Sequence, residues 1–323
     1  MTEVMTSKEP TGQANLRVGI VGAGSIGVAF AIVFARAGAA VRIQDPDPAR
    51  REAVAAEMRD RLAALQEFGL VDEAIPHIVG RMEPVETLEA VCAESDLVIE
   101  CAPERLEIKL PLFQAIDRAA PAQAILVSAS SAITMSKIAN GLPGRSRCLI
   151  AHPGNPPYLI PVIELVPAPF TDEAAIERAH VMFAAAGMSP VVVRREAEGF
   201  IFNRLQGAVL REAYCLVRDG VASVEDIDRV MRDGVGMRWS VIGPFETADL
   251  NTRGGIASHA EKMGPAYARM GRERGQNDPW TPELVAAVER QRRALLPLSQ
   301  WEQRVAWRDR RLMSLAKLRK NAR

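Results

Sequence analysis

The stretch Arg17-Val-Gly-Ile-Val-Gly-Ala-Gly-Ser-Ile-Gly-Val-Ala-Phe constrains the fold more than any other part of this 323-residue chain. Arg17 to Val21 is a short β-branched run, the composition of a buried strand. Gly22, Gly24 and Gly27 follow at the G-x-G-x-x-G spacing, and the uncharged apolar run from Val28 to Ala35 predicts a helix. The first glycine serves a tight turn, the second lets backbone approach a pyrophosphate, and the third lets the helix press on the strand. Gly38 closes that helix, and Ala40 to Gln44 predicts a second strand stopping at Asp45. An acid at the tip of the second strand, roughly 20 residues beyond the glycines, is what binding adenosine ribose hydroxyls requires. Strand, glycine loop, helix, strand and acid together predict a nicotinamide-dinucleotide site. Asp45 favours NAD over NADP, because a carboxylate repels a 2′-phosphate and Pro46 stands where an arginine could rescue it.

Further strands are expected near Arg81 to Val85, Leu97 to Glu100, Ile125 to Ser128, Cys148 to Ala151, Val162 to Val166 and Pro190 to Val193. Between them, Val54, Met58, Leu62 and Leu65 recur at helical spacing, and Val71 to Ile78 reads as the returning arm of a helical hairpin. A helix is expected from about Asp172 to Ala186. This alternation is α/β, a doubly wound Rossmann-type sheet. From Glu196 to Gly199 the pattern changes, and no convincing strand follows. Phe200 to Arg218 reads as a long helix apolar on more than one face, the expected buried spine of an all-helical domain, with Gly220 just past its end. A last helix is expected from about Leu298 to Lys320. The expected organisation is a disordered tail over 1–15, a cofactor domain over 16–197 and an all-α domain over 198–323 for substrate and dimerisation.

Composition limits the function classes. Lys plus Arg and Asp plus Glu are both 40, so no charge excess recommends nucleic acid or an anionic membrane. The segment Val18 to Ala35 is uncharged and nearly long enough to span a bilayer, but three glycines divide it into strand, turn and helix. Cys92, Cys101, Cys148 and Cys215 are widely spaced, suggesting neither disulfides nor a metal site, and a reducing cytoplasm fits.

Several residues could do chemistry. His152 follows the sixth strand directly, at the carboxyl end of a strand where ligands bind in open α/β sheets. Glu164 lies between Ile163 and Leu165 in an otherwise apolar strand, where a carboxylate is costly unless paired. Paired with one ring nitrogen of His152, it would fix the tautomer and leave the other nitrogen to exchange a proton. His77, His180 and His259 have no such partner in sequence and read as structural. Ser128-Ala-Ser-Ser131 closes the fifth strand, either capping the next helix or bonding a reacting oxygen. Asn203 sits in the first turns of the long helix, with substrate or His152 as candidate partners. Arg238, between Met237 and Trp239, reads as partly enclosed and suited to gripping a substrate carboxylate.

These motifs, Ser-x-Ser-Ser, His152-Pro-Gly-Asn155-Pro, the strand glutamate and Gly199-Phe-Ile-Phe-Asn203-Arg, occur in an order that resembles the L-3-hydroxyacyl-CoA dehydrogenase superfamily. Ala151-His-Pro-Gly-Asn-Pro-Pro-Tyr-Leu-Ile-Pro, Gly236-Met-Arg-Trp-Ser-Val-Ile-Gly-Pro-Phe-Glu and Trp307-Arg-Asp-Arg-Arg-Leu-Met-Ser-Leu-Ala-Lys-Leu bring it nearest the lambda-crystallin, or L-gulonate 3-dehydrogenase, branch. The resemblance implies Ser131, His152, Glu164 and Asn203 as the catalytic set. It also implies NAD contacts by Ser25, Ile26, Asp45, Glu104, Lys109 and Ser131, and a homodimer through the helical domains. Substrate contacts are expected at Ser131, Asn155, Asn203 and Arg238. The expected activity is NAD-dependent oxidation of a small free L-3-hydroxy acid, with 3-hydroxyacyl-CoA or carnitine as alternative substrates and a non-enzymatic crystallin role as a rival. Gly154 departs from relatives, which carry a bulkier apolar residue there, and is expected to widen or loosen the pocket.

Overall fold

In the computed structural model, the described residues are 16–240, 243–251 and 255–275, with scattered positions from 283 to 318. The tail over 1–15 lies outside them; of the expected last helix, Leu298–Gln300 forms a 3₁₀ turn and the described positions from 303 to 318 are helical. Two compact units divide the chain, one built on residues up to Arg204 together with the segment from Trp307, the other on Leu205–Ala306.

The first unit holds an eight-stranded sheet. Its strands are β1 Arg17–Val21, β2 Ala40–Gln44, β3 Met82–Val85, β4 Leu97–Glu100, β5 Ile125–Ser128, β6 Cys148–Pro153, β7 Val162–Pro167 and β8 Ser189–Val192. The order is β3-β2-β1-β4-β5-β6-β7-β8. All neighbours are parallel except β6 and β7, and the order in which the strands are laid down reverses between β1 and β4, where open α/β sheets bind ligands. The central strands β1, β4 and β5 are buried on both faces, as parallel strands covered by crossover helices must be.

Helices α1 Ser25–Arg36, α2 Pro48–Glu67, α3 Ile75–Val79 and one over Glu173–Ala185 cover one face. Helices over Leu88–Cys92, Leu106–Ala119 and Met135–Ala139 cover the other. Helix α1 is buried along nearly its whole length, and Phe30, Phe34 and Phe183 pack with ring centroids 5.6–6.4 Å apart. Truncating one such ring typically costs about 3–5 kcal/mol. The expected arm over Val71–Ile78 is helical only from Ile75, because Pro76 fits the first turn of a helix and not its interior. Met313 is buried in the core of this unit, whereas the sequence assigns it to the helical domain.

A helix over Phe202–Arg218 crosses the division and ends with Gly220 at φ +69°, its successor Val221 donating back to Leu216. The structure corrects the expectation of a buried spine. Of its residues only Cys215 is buried, while Leu205 and Leu210 are exposed. The helix is amphipathic, with Arg204, Arg211 and Arg218 on one side, and among the described residues little covers its apolar side. Beyond it the second unit is helical, with helices over Val224–Val230, Pro244–Leu250 and Gly255–Arg274 and no strand among its described residues. Arg274 ties Glu212 and Asp219 together within it. Among the described residues, no helix is long and apolar enough to cross a membrane.

Candidate active site

The dinucleotide loop has the stereochemistry its glycines require. Gly22 has φ +107°, and a Cβ there would lie 2.9 Å from the Cys101 carbonyl group. A Cβ on Gly27 would stand 1.9 Å from the Gly22 carbonyl oxygen, so helix and strand meet only through glycine. One on Gly24 would meet nothing within 4 Å, leaving the approach to the loop open. Gly24 is the N-cap of α1 and offers no side-chain cap, and no acid lies in the first turn. The N–H groups of Ser25, Ile26 and Gly27 therefore have no carbonyl partner inside the helix, and they suit an anionic diphosphate.

Asp45 closes this cradle. Its Oδ2 accepts from Ala23 N at 2.8 Å and its Oδ1 from Asp47 N at 3.0 Å. The sequence neighbours of Asp45 imply that no arginine stands near it, and the fold corrects this. Helix α2 returns Arg51 to the Asp45 carbonyl at 2.7 Å and Arg50 to the Ala23 carbonyl at 2.5 Å. One helical turn carries both guanidinium groups back to the strand tip, a proximity that immediate neighbours in sequence do not reveal.

His152 and Glu164 are register partners on antiparallel β6 and β7. Nδ1 of His152 lies 2.8 Å from Oε2 of Glu164, and both side chains are buried, at 6% and 3% exposure. The other carboxylate oxygen accepts the backbone N–H groups of Ile201 (2.6 Å) and Phe202 (3.0 Å), at the entry to the Phe202–Arg218 helix. Phe200 and Phe202 set rings against the imidazole, with centroids 5.5 and 6.2 Å away. Phe200 holds φ +49°, the left-handed region, directly after Gly199 at φ +76°. Sequence reasoning missed Phe200 as a site residue; the Gly-Phe pair at the change of pattern is the signal that could have found it.

Ser131 and Asn203 are also brought together: the Asn203 side-chain amide donates to the Ser131 carbonyl at 3.2 Å. The other serines of the motif are committed elsewhere. Ser128 Oγ donates to Glu100 at 2.5 Å and Ser130 Oγ to Glu104 at 2.5 Å. Glu104 Oε1 also accepts the backbone N–H groups of Ser131, Ala132 and Ile133. Burial pushes the Glu104 carboxyl up, but Ser130, the loop N–H groups and Lys109 outweigh it and hold it below the usual range. Lys109 is fully enclosed, its ammonium donating to both Glu100 oxygens at 2.8 and 2.9 Å and to the Ala102 carbonyl. A contact of Lys109 with a cofactor would need one of these bonds released. Sequence reasoning also missed Glu100, although its place at the end of an apolar strand is the same signal that Glu164 gives.

Asn155 is exposed just beyond β6. Gly154 does not open a gap towards Ile160, since a Cβ there would stand 2.5 Å from Cγ2 of Ile160, whose side chain occupies the space. Arg238 lies in the short helix Gly236–Trp239 and is exposed. Its neighbours Met237 and Trp239 are exposed as well and do not enclose it, because consecutive helical residues point about 100° apart. Arg238 instead lines a cavity of about 620 Å³ within the helical unit, with Trp239, Phe245, Thr247, Asn251, His259 and Tyr267 among its walls. No carboxylate is among the described lining residues, and Thr247 Oγ1 is buried without a hydrogen-bond partner.

Comparison with known proteins agrees with this geometry. Residues 17–197 match the 3-hydroxyacyl-CoA dehydrogenase NAD binding domain, and residues 199–295 match the C-terminal domain of the same family. The lambda-crystallin homolog of Bos taurus is 37% identical over 313 residues, covering 94% of this chain and 95% of its own. The L-carnitine dehydrogenase of Nocardiopsis dassonvillei is 34% identical, covering 95% of this chain and 92% of its own. Among solved structures, a 5-formyl-3-hydroxy-2-methylpyridine 4-carboxylic acid 5-dehydrogenase, an NAD+ dependent dismutase, superposes with a TM-score of 0.81 at 25% identity over 94% of this chain and 97% of its own. A 3-hydroxyacyl-CoA dehydrogenase of Archaeoglobus fulgidus gives 0.66 at 27% identity, covering 79% and 81%. The open glycine loop, the acid at the tip of β2 and these matches lead to one conclusion: the chain belongs to the 3-hydroxyacyl-CoA dehydrogenase family and is an NAD-dependent hydroxy acid dehydrogenase.

Proposed function

We propose that the enzyme oxidises the 3-hydroxyl of a small free L-3-hydroxy acid, with His152 and Glu164 as its acid–base pair. The observation that carries this reading is the buried 2.8 Å contact of Nδ1 with Glu164, which leaves Nε2 of the same ring as the proton-exchanging atom. Bound NAD supplies the hydride acceptor. The substrate hydroxyl gives its proton to His152 Nε2, and the Glu164 carboxylate orients the ring and stabilises the imidazolium. Ser131 and Asn203 hold the oxygen on which charge changes. Gly22, Gly24, Ser25, Ile26, Gly27 and Asp45 would hold the cofactor together with Glu104, Lys109 and Ser131, and Asn155 would contact the substrate.

Arg238 is assigned to the substrate carboxylate. Supporting this, its cavity places the Arg238 guanidinium with the hydroxyl-bearing Thr247 and Tyr267 and without a described acidic side chain, which favours an anion. The similarity to L-carnitine dehydrogenases supports carnitine as a second candidate, a 3-hydroxy acid that also carries a carboxylate. In this proposal residues 16–197 form the cofactor domain, and 198–323, apart from the segment from Trp307 that packs with the first unit, supply substrate contacts and the surface through which two chains pair. Exposed Leu205, Phe245 and Met270 support such pairing, which light scattering would test by mass. A cytoplasmic location is supported by four cysteines, none in a disulfide.

The test is NADH release over a panel of free 3-hydroxy acids, carnitine and 3-hydroxyacyl-CoA esters. Turnover of free acids well above thioesters is expected; turnover confined to thioesters overturns the free-acid reading, and none on any member overturns the acid–base assignment.

A further inference from the structure

Two arginines of α2 reach back onto the dinucleotide loop, and one glutamate joins them. Arg50 donates to the Ala23 carbonyl from Nη2 at 2.5 Å and from Nε at 3.2 Å. Arg61 donates from Nη1 to the Ser25 carbonyl at 3.1 Å. Between them, Glu57 accepts from Arg50 through Oε1 at 2.8 Å and from Arg61 through Oε2 at 3.2 Å. All three side chains are partly buried, at 24–37% exposure.

The two carbonyls are not equivalent to any others in the loop. In a trans peptide the C=O and the following N–H lie in one plane and point in opposite directions. Fixing the Ala23 carbonyl therefore aims the Gly24 N–H, and fixing the Ser25 carbonyl aims the Ile26 N–H. Both N–H groups belong to the start of α1, the end of a helix that suits a diphosphate. From this geometry we infer that Arg50, Glu57 and Arg61 form a positioning clamp that presets two peptide planes of the diphosphate cradle. Glu57 is its keystone: it holds both guanidinium groups on their carbonyls and prevents two like charges from moving apart. None of the three touches the reacting carbon, so their effect falls on cofactor affinity and not on the chemical step.

A purely electrostatic role makes the opposite prediction at one position. Glu57→Gln keeps both positive charges and removes a negative one, so simple attraction would tighten binding of an anion, whereas a loosened clamp weakens it. The experiment is calorimetric titration of the enzyme with ADP-ribose, which carries the diphosphate, and with adenosine, which does not. Expected for Glu57→Gln is several-fold weaker ADP-ribose binding, and for Arg50→Gln or Arg61→Gln about tenfold, near the loss of one well-aimed hydrogen bond. Adenosine binding should match wild type, and Arg61→Lys should recover part of the Arg61→Gln loss. Tighter ADP-ribose binding by Glu57→Gln, unchanged binding in the Arg50→Gln/Arg61→Gln double variant, or equal losses for adenosine would each overturn the clamp. Should Glu57→Gln lower Tm substantially, Arg61→Lys and Arg61→Gln alone decide by the same adenosine comparison.

Discussion

The carboxylate of Glu164 accepts the backbone N–H of Ile201 at 2.6 Å, so the acid facing His152 is also anchored to the entry of the Phe202–Arg218 helix. That anchoring decides what a glutamine does there. In Glu164→Gln the amide oxygen must still accept the N–H groups of Ile201 and Phe202, which turns the amide nitrogen towards His152 Nδ1. Nδ1 then accepts, the ring proton moves to Nε2, and Nε2 loses its lone pair for the substrate hydroxyl. Glu164→Gln and His152→Ala should therefore each lower kcat by about 10²–10⁴-fold while NADH affinity is retained. Stopped-flow turnover with NADH fluorescence titration checks this, and near-normal kcat in either variant removes the pair from the mechanism.

Asp45 sets the second prediction. Its carboxylate stands at the end of β2 while Arg50 and Arg51 approach from α2, each already donating to a backbone carbonyl. The wild-type enzyme should use NAD with much higher kcat/KM than NADP. Asp45→Ser removes the charge that repels a 2′-phosphate and leaves Arg51 in reach, so NADP use should rise and NAD use fall. Comparable wild-type efficiency with both cofactors would contradict the role given to Asp45.

Much of this is legible in the sequence because the physics is local. The glycine spacing, the β-branched runs and the lone carboxylate in the seventh strand each state their constraint within a few residues. The spine helix is not legible in the same way, because an apolar side chain announces that it needs cover without naming what covers it; Leu205 is 58% exposed. Glu100 escapes notice because its partner Lys109 lies a turn and a loop away, and only the fold shows the two meeting. Arg50 and Arg61 look in sequence like ordinary charges of a helix face, since nothing there says that this face lies against the Ala23 and Ser25 carbonyls.

Glu104 links the Ser131 loop to acid stability. Its folded-state carboxyl is held below the usual range of about 4.3. A depressed carboxyl contributes stability that is present above the unfolded value and is lost as pH falls through the folded one. The Tm difference between wild type and Glu104→Gln should thus be largest above about pH 4–5 and shrink on further acidification. A difference independent of pH would show that the Glu104 charge does not matter to the fold.

Gly154 and Ile160 make a packing test. An added methyl at 154 would have to displace Ile160 Cγ2 from 2.5 Å, with the Ile160 carbonyl oxygen at 3.1 Å behind it. Gly154→Ala should destabilise by about 1–3 kcal/mol, the usual cost of overpacking. Ile160→Ala in the same chain vacates the space, so the double variant should lose less than the sum of the two. Denaturant midpoints measure this, and simple additivity would mean that the two residues do not compete for one volume.

The last prediction separates a free acid from a thioester as substrate. A hydrophilic hydroxy acid needs a partner for its carboxylate, whereas a thioester has no charge at that end. Arg238 is exposed, and exposed arginines are commonly only solvated, so enclosure by its neighbours does not argue for a role. The cavity does: Arg238 shares it with Asn251, His259 and the orphaned Thr247 hydroxyl, and among its described walls no acid competes for the guanidinium. A planar guanidinium grips a carboxylate through two parallel hydrogen bonds. Arg238→Met should then raise KM for the free acid by about 10–100-fold, roughly 1.5–3 kcal/mol for a hydrogen bond to a charged group, with NADH affinity unmoved. Arg238→Lys should recover only part, because an ammonium lacks the fork. Thr247→Val should raise KM by a smaller factor, since a neutral hydroxyl contributes less than a charged donor. If Arg238→Met folds and keeps its KM for a free acid that the wild type oxidises, the carboxylate is held elsewhere while the free-acid activity stands. If instead the wild type turns over only thioesters, Arg238 has no carboxylate to hold and the choice of substrate class is what fails.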